Sequence, residues 1–195
     1  MFGTAITELF TGQWIEVLLK SVTDNALLIL TISTGVMVIG RGLAEPVVHK
    51  LSTTGVLLIS AALSAVGLYI LGHATGNTVF VGALIFGLGV CYFWPNMLGF
   101  VAENLPKTGA VGLNLMGGAG MFAVSVYMIF MGKFYDNIVN SKLGSDAANA
   151  SAEAVDAAKK AAGPEIINAT LVIPIILTVA FAGLYFFMKS KKKAA

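Results

Sequence analysis

A few polar groups set in apolar surroundings are the residues of this sequence that could do chemistry. Glu8 lies in the stretch FGTAITELFTGQWIEVLL, residues 2–19, with Thr4 and Thr11 one turn away on the same helical face. A carboxylate inside a membrane helix is a proton or cation site by default. At a wet chain end it would only be solvated, and the sequence alone leaves both readings open. Glu16 falls nearer the outer surface, where solvation is its role. The second group sits in GALIFGLGVCYFWPNMLGFVAENLPK, residues 82–107. Tyr92, Asn96 and Glu103 follow an i, i+4, i+11 pattern that places them on one helical face, a polar stripe that would line a cavity and descend to the cytoplasmic edge. Trp94 points roughly the other way. Pro95 removes one backbone hydrogen bond and loosens that turn. The competing reading makes Tyr92 and Trp94 packing aromatics and gives Asn96 an interhelical hydrogen bond. Arg41 and Glu103 both fall at cytoplasmic helix ends, either as a gating charge pair worth about 0 to 1 kcal/mol or as independent solvated anchors.

Covalent chemistry has little to work with. Cys91 is the only cysteine, so no intramolecular disulfide and no CxxC site exists, and an inert buried thiol is expected. There is no His or Cys cluster and no pair of intramembrane carboxylates, so the chain is expected not to be an enzyme and to use no metal or cofactor. Gly117–Gly120 reads GGAG but lacks the lysine and hydroxyl residue of a phosphate loop. Asn149 and Asn168 begin matches to the glycosylation pattern that chance explains.

These residues must be held by apolar elements. Of 195 residues 57% are hydrophobic and 11% charged, with a mean hydropathy of +0.86, too little charge to cover a water-facing surface. The composition is that of an all-α integral membrane protein in a lipid bilayer. The net charge of +2 is small, and the tail lysines Lys189, Lys191, Lys192 and Lys193 face anionic headgroups rather than nucleic acid. Val79–Ala102 carries no charge, long enough to cross the ~30 Å hydrocarbon core. Further spans are expected at 26–43, 55–71, 111–131 and 167–188, giving five complete transmembrane helices, with residues 2–19 as the outer part of a truncated sixth. Ala61, Ser64, Ala65 and Gly67 in the third helix, and Gly112, Gly117, Gly118, Ala119 and Gly120 in the fifth, are small residues suited to close helix contact. Residues 133–166 turn polar and alanine-rich, which predicts an outside loop with one short helix ending at Gly163 and Pro164. Arg41, Lys50, Lys107 and the tail lysines fall on one side, which the positive-inside rule makes cytoplasmic, with the C-terminus there.

Three stretches carry a family resemblance. GVMVIGRGLAEPVVHK, residues 35–50, is similar to the helix 8 to helix 9 connection of the major facilitator superfamily. Phe93–Lys107, the glycine-rich Gly109–Gly120 and Gly132-Lys133-Phe134-Tyr135-Asp136 resemble its helices 10 and 11, closest to bacterial sugar-porter-like members. The resemblance implies one transmembrane domain over residues 1–195, the C-terminal six-helix half of that fold in a bacterial inner membrane, partnered by an N-terminal six-helix half. It implies a secondary active transporter, a symporter moving a small polar solute such as a sugar or organic anion by alternating access, coupled to protons. By the same resemblance the substrate contacts are Glu8, Gln13, Trp14, Asn96 and Asn114, with Tyr92 and Trp94 beside them. Trp94 stands farther from Glu103 than the corresponding residues of sugar porters do, and no arginine follows Pro106. The alternative is a non-transporting membrane scaffold or subunit that packs through its glycine-rich helices.

Overall fold

An apolar run with no outlet for its amides folds as a helix, because every backbone donor then finds its acceptor within the segment. The computed structural model describes residues 1–19, 26–74, 76–144 and 150–194, and holds no strand among them. In chain order the elements are α1 (Phe2–Ala5), a π-helical segment (Ile6–Phe10) running into α2 (Thr11–Leu19), α3 (Ala26–Gly42), α4 (Ala44–Leu51), α5 (Thr53–His73), α6 (Thr78–Val90), α7 (Phe93–Asn104), a 3-10 turn (Pro106–Thr108), α8 (Gly109–Leu143) and α9 (Ala152–Ala194). Among the described residues four helical stretches are long and apolar enough to cross a membrane: Thr53–His73, Thr78–Asn104, Pro106–Leu143 and Ala152–Lys191. Leu27–Gly42 is equally apolar but shorter, and at 17 residues α3 measures about 25 Å. The architecture is all-α and compatible with an integral membrane protein. The turn residues Lys20–Asn25 lie outside the described residues.

Backbone-to-backbone approach at glycine holds the centre together. A Cβ on Gly67 would come within 2.5 Å of the Phe86 backbone, and one on Gly87 within 2.7 Å of the Ser33 carbonyl oxygen. Gly89 lies as tightly against the Ser64 main chain. Helix α6 is thereby clamped between α3 and α5, and Ser33 donates a hydrogen bond across the first of these contacts to the Ala83 carbonyl at 3.1 Å. Ala61, Ser64 and Gly67 are buried on the face of α5 that receives it. Phe10, Leu57, Leu68 and Phe93 fill the core, while Val111, Leu115, Phe122, Phe130 and Val179 stand exposed on the outside. An apolar exterior of this kind suits lipid rather than water.

The expected span 79–102 falls within one apolar stretch, Thr78–Asn104, with a turn at Cys91 and Tyr92 where α6 passes into α7. One other sequence expectation is corrected here. The expected loop 133–166 is largely helical, because α8 continues to Leu143 and α9 begins at Ala152 and passes through Gly163 and Pro164. With 35 and 43 residues these helices run about 52 and 65 Å, well beyond a bilayer core. Gly163 does not end α9; it lets that helix press onto the Leu18 carbonyl of α2, where any side chain would collide. Lys142 and Glu165, 2.6 Å apart, tie the protruding ends of α8 and α9.

Candidate functional site at a helix break

Pro95 explains the break. It has no N–H to offer the carbonyl four residues back, so the Cys91 oxygen loses its helical donor. Arg41, at the end of α3, supplies one: its Nε donates to that oxygen at 3.0 Å. Two more contacts seat the last turn of α3 on the break. The Tyr92 hydroxyl donates to the Gly40 carbonyl at 2.7 Å, and a Cβ on Gly40 would stand 3.0 Å from the Cys91 sulfur. A side chain at Gly40 would press on that sulfur.

The other end of the guanidinium meets Glu8. Arg41 Nη2 and Glu8 Oε1 lie 2.6 Å apart, with the carboxylate side chain 5% exposed and the arginine 44% exposed. Glu8 stands in the π-helical segment Ile6–Phe10, a local widening of the helix that is frequent at functional positions. The guanidinium thus bridges the Glu8 carboxylate and the carbonyl left free at the break, a positive charge matched to the backbone dipole it meets. Among the described residues three buried polar atoms have no hydrogen-bond partner: Glu8 Oε2, Thr11 Oγ1 and Asn96 Nδ2. Buried polar groups are ordinarily paired, so these three stand out from the rest of the interior.

The remaining sequence candidates fall in different settings. Thr4 turns its hydroxyl back to the Met1 carbonyl at 2.8 Å, so it does not face Glu8 as a free ligand. Trp94 is half-buried, with a ring carbon 3.9 Å from where a Cβ on Gly117 would stand. Trp14 stacks on Phe10 with centroids 5.5 Å apart and meets the edge of Tyr135 at 5.7 Å, an aromatic seam joining α2 to α8. Gln13 and Asn114 are exposed. The Arg41–Glu103 pair is not formed. Cys91, which Arg41 holds, is 12 residues from Glu103, or about 18 Å along a helix, too far for one side chain to reach. Glu103 instead accepts from the Thr53 hydroxyl with both oxygens, at 3.1 and 2.9 Å.

Sequence reasoning missed the partner of Glu8 and the role of the Cys91 carbonyl. The second had a signal, since the residue four before a mid-helix proline always carries an orphaned acceptor. The first had none, because nothing in the order of residues states that Glu8 and Arg41 lie at one depth. Among the described residues no cluster of His, Cys, Asp or Glu has the make-up of a metal site. No family model, curated protein or solved structure matches the chain.

Proposed function

We propose that the chain acts as the C-terminal bundle of a secondary active transporter of the major facilitator type, which moves a small polar solute by alternating access coupled to protons. The observation that carries this reading is the buried Glu8 carboxylate, paired with Arg41 at a broken helix. Discontinuous helices with charged groups at their exposed ends are how secondary carriers bind ions and solutes at mid-membrane depth. An intramembrane carboxylate with a movable counter-charge is the element that a proton-coupled cycle requires.

In this reading ionised Glu8 is latched by Arg41, and Arg41 simultaneously holds the break, so the π-helical segment, α3 and the α6–α7 junction move as one unit. Protonation of Glu8 removes one of the two holds on Arg41. The guanidinium then remains on the Cys91 carbonyl alone, and its half-exposed face is free to receive an acceptor group of the solute. Proton binding and solute binding therefore favour the same rearrangement, which is what coupling means thermodynamically. The exposed Gln13 and Asn114 belong on the face that a partner bundle would cover, and open Gly118 suits close approach there.

The test is Glu8→Gln in the transport-competent protein, reconstituted in vesicles with an imposed pH gradient and an interior pH dye, challenged with a panel of sugars and organic anions. Solute-dependent proton movement is expected for the wild type and is abolished in the variant, while expression and helicity persist. If both proteins move protons equally with the same solute, Glu8 is not the coupling group. If neither responds to any solute, while both fold and capture a membrane partner through the α8 face, the scaffold reading replaces transport.

A further inference from the structure

A second, lysine-lined site lies at one end of the bundle, away from the Glu8–Arg41 pair, and the groove that adjoins it reaches back to the break. The ends of α4, α7 and α9 and the start of α5 border an open cleft of about 1110 Å³. Lys50, Lys189 and Lys191 line it, and the opposing charge comes from Glu103, whose two oxygens are already engaged by the Thr53 hydroxyl. His49, Asn104 and the hydroxyls of Ser52 and Thr54 complete the polar lining. The lysines come from distant parts of the chain: Lys50 lies in the last turn of α4, and the other two stand near the end of α9. Lys189 lies 5.7 Å from the Tyr185 ring centroid, so the aromatic face steadies one ammonium at the wall. Ser52, where α4 turns into α5, has φ 63°, a conformation that side chains rarely adopt. A backbone held so is a fixed part of a wall.

Leu51 lines this cleft and also a second, apolar groove of about 500 Å³ beneath α4. That groove is walled by residues such as Val36, Ile39, Val47, Leu63 and Leu88 and runs as far as Gly40 and Tyr92. A basic cleft that shares a wall with an apolar groove has the outline of an amphiphile: an anionic head and a hydrocarbon chain. The sequence puts this end of the bundle on the side where the positive-inside rule locates anionic lipid.

We propose that this cleft and groove bind one anionic phospholipid, its phosphate among Lys50, Lys189 and Lys191 and one acyl chain in the groove under α4. The proposal needs only that the bundle sits in a bilayer and is independent of transport. Charge complementarity selects an anionic head over a zwitterionic one, and the groove selects a lipid over a free phosphate.

The full chain, purified in mild detergent, is to be examined by native mass spectrometry with equal amounts of phosphatidylglycerol and phosphatidylcholine. One phosphatidylglycerol per chain is expected to be retained about tenfold over phosphatidylcholine, and retention is expected to fall with added salt. Replacing Lys50, Lys189 and Lys191 by Gln lowers retention about fivefold per lysine, and replacing them by Arg preserves it. Leu63→Trp, which fills the groove, lowers retention of the lipid while leaving the lysines in place. Equal retention of the two lipids, salt-independent retention by the wild type, or full retention by the Gln variant overturns the proposal. So does displacement of the lipid by millimolar sn-glycerol 3-phosphate, which would make this a soluble-anion site. The salt titration and the lipid comparison use the wild type alone, so the outcome does not depend on how any variant folds.

Discussion

Arg41 does two jobs with one side chain, and they can be separated. Its Nη2 neutralises Glu8 and its Nε closes the acceptor left open by Pro95. Arg41→Ala removes both, leaves a buried carboxylate without its counter-charge, and is expected to lower stability by about 2 kcal/mol. That lies between an exposed pair and a fully buried one, because only the carboxylate side is enclosed. Adding Glu8→Gln should recover most of the Glu8 part of the loss, so the double-mutant cycle yields a coupling energy of roughly 1 kcal/mol or more. Steric-trap or denaturant unfolding in detergent measures both. Purely additive losses would mean that the two residues do not share an energy. The chemistry of these positions was legible in part: Glu8, Tyr92, Trp94 and Asn96 stand out in the sequence because lipid does not tolerate them unpartnered. The pairing was not legible, since helical periodicity places residues around one axis but says nothing about the relative depth of two helices.

At the scale of elements, the contrast among glycines is the sharpest consequence of the packing. Gly89 touches the Ser64 backbone, whereas Gly118, also on a long apolar helix, has nothing within 4 Å of the position a Cβ would take. Gly89→Ala is expected to cost about 2 kcal/mol or more by forcing α5 and α6 apart. Gly118→Ala is expected to be neutral or to stabilise by a few tenths of a kcal/mol in this chain, through the lost freedom of the unfolded backbone. Thermal unfolding of the two variants side by side decides it, and a larger loss at Gly118 would contradict the described packing. Small residues in the sequence predicted tight contacts for α5 and α8; α5 makes them at Ala61, Ser64 and Gly67, whereas in α8 Gly120 packs against Met1 and Ala5 while Gly118 faces open space. Composition identifies a face that allows close approach, but not whether a partner occupies it. The missed extent of α8 and α9 has another cause. Polarity around 133–166 was read as loop, although alanine, lysine and aspartate continue a helix in water as readily as they end one in lipid.

For the whole molecule, the described turns make the orientation testable. Lys50 and Lys107 lie at one end of the bundle, Gly76 and Gly144 at the other, the latter two at turns with φ of 61° and 68°. With Cys91 replaced by Ser, single cysteines at Gly144 and Lys50 should react oppositely with an impermeant maleimide: the first from outside intact cells, the second only after lysis. Labelling of position 50 from outside would invert the orientation and with it the leaflet assigned to the lysine-lined cleft. The all-α class and the long apolar helices followed from the sequence, because hydropathy reports on the bilayer itself; five complete spans were expected, and four stretches among the described residues are long and apolar enough to cross.

The break between α6 and α7 also equips this protein with a gauge. Its one cysteine stands at the junction, with the thiol bonded to the Leu88 carbonyl at 3.2 Å and covered by Gly40. The residue is fully buried, so reagent reaches that sulfur only when the packing around the junction opens. The rate at which an unmodified wild-type sample consumes a small alkylating agent therefore counts how often the junction opens, with no label introduced and no residue changed.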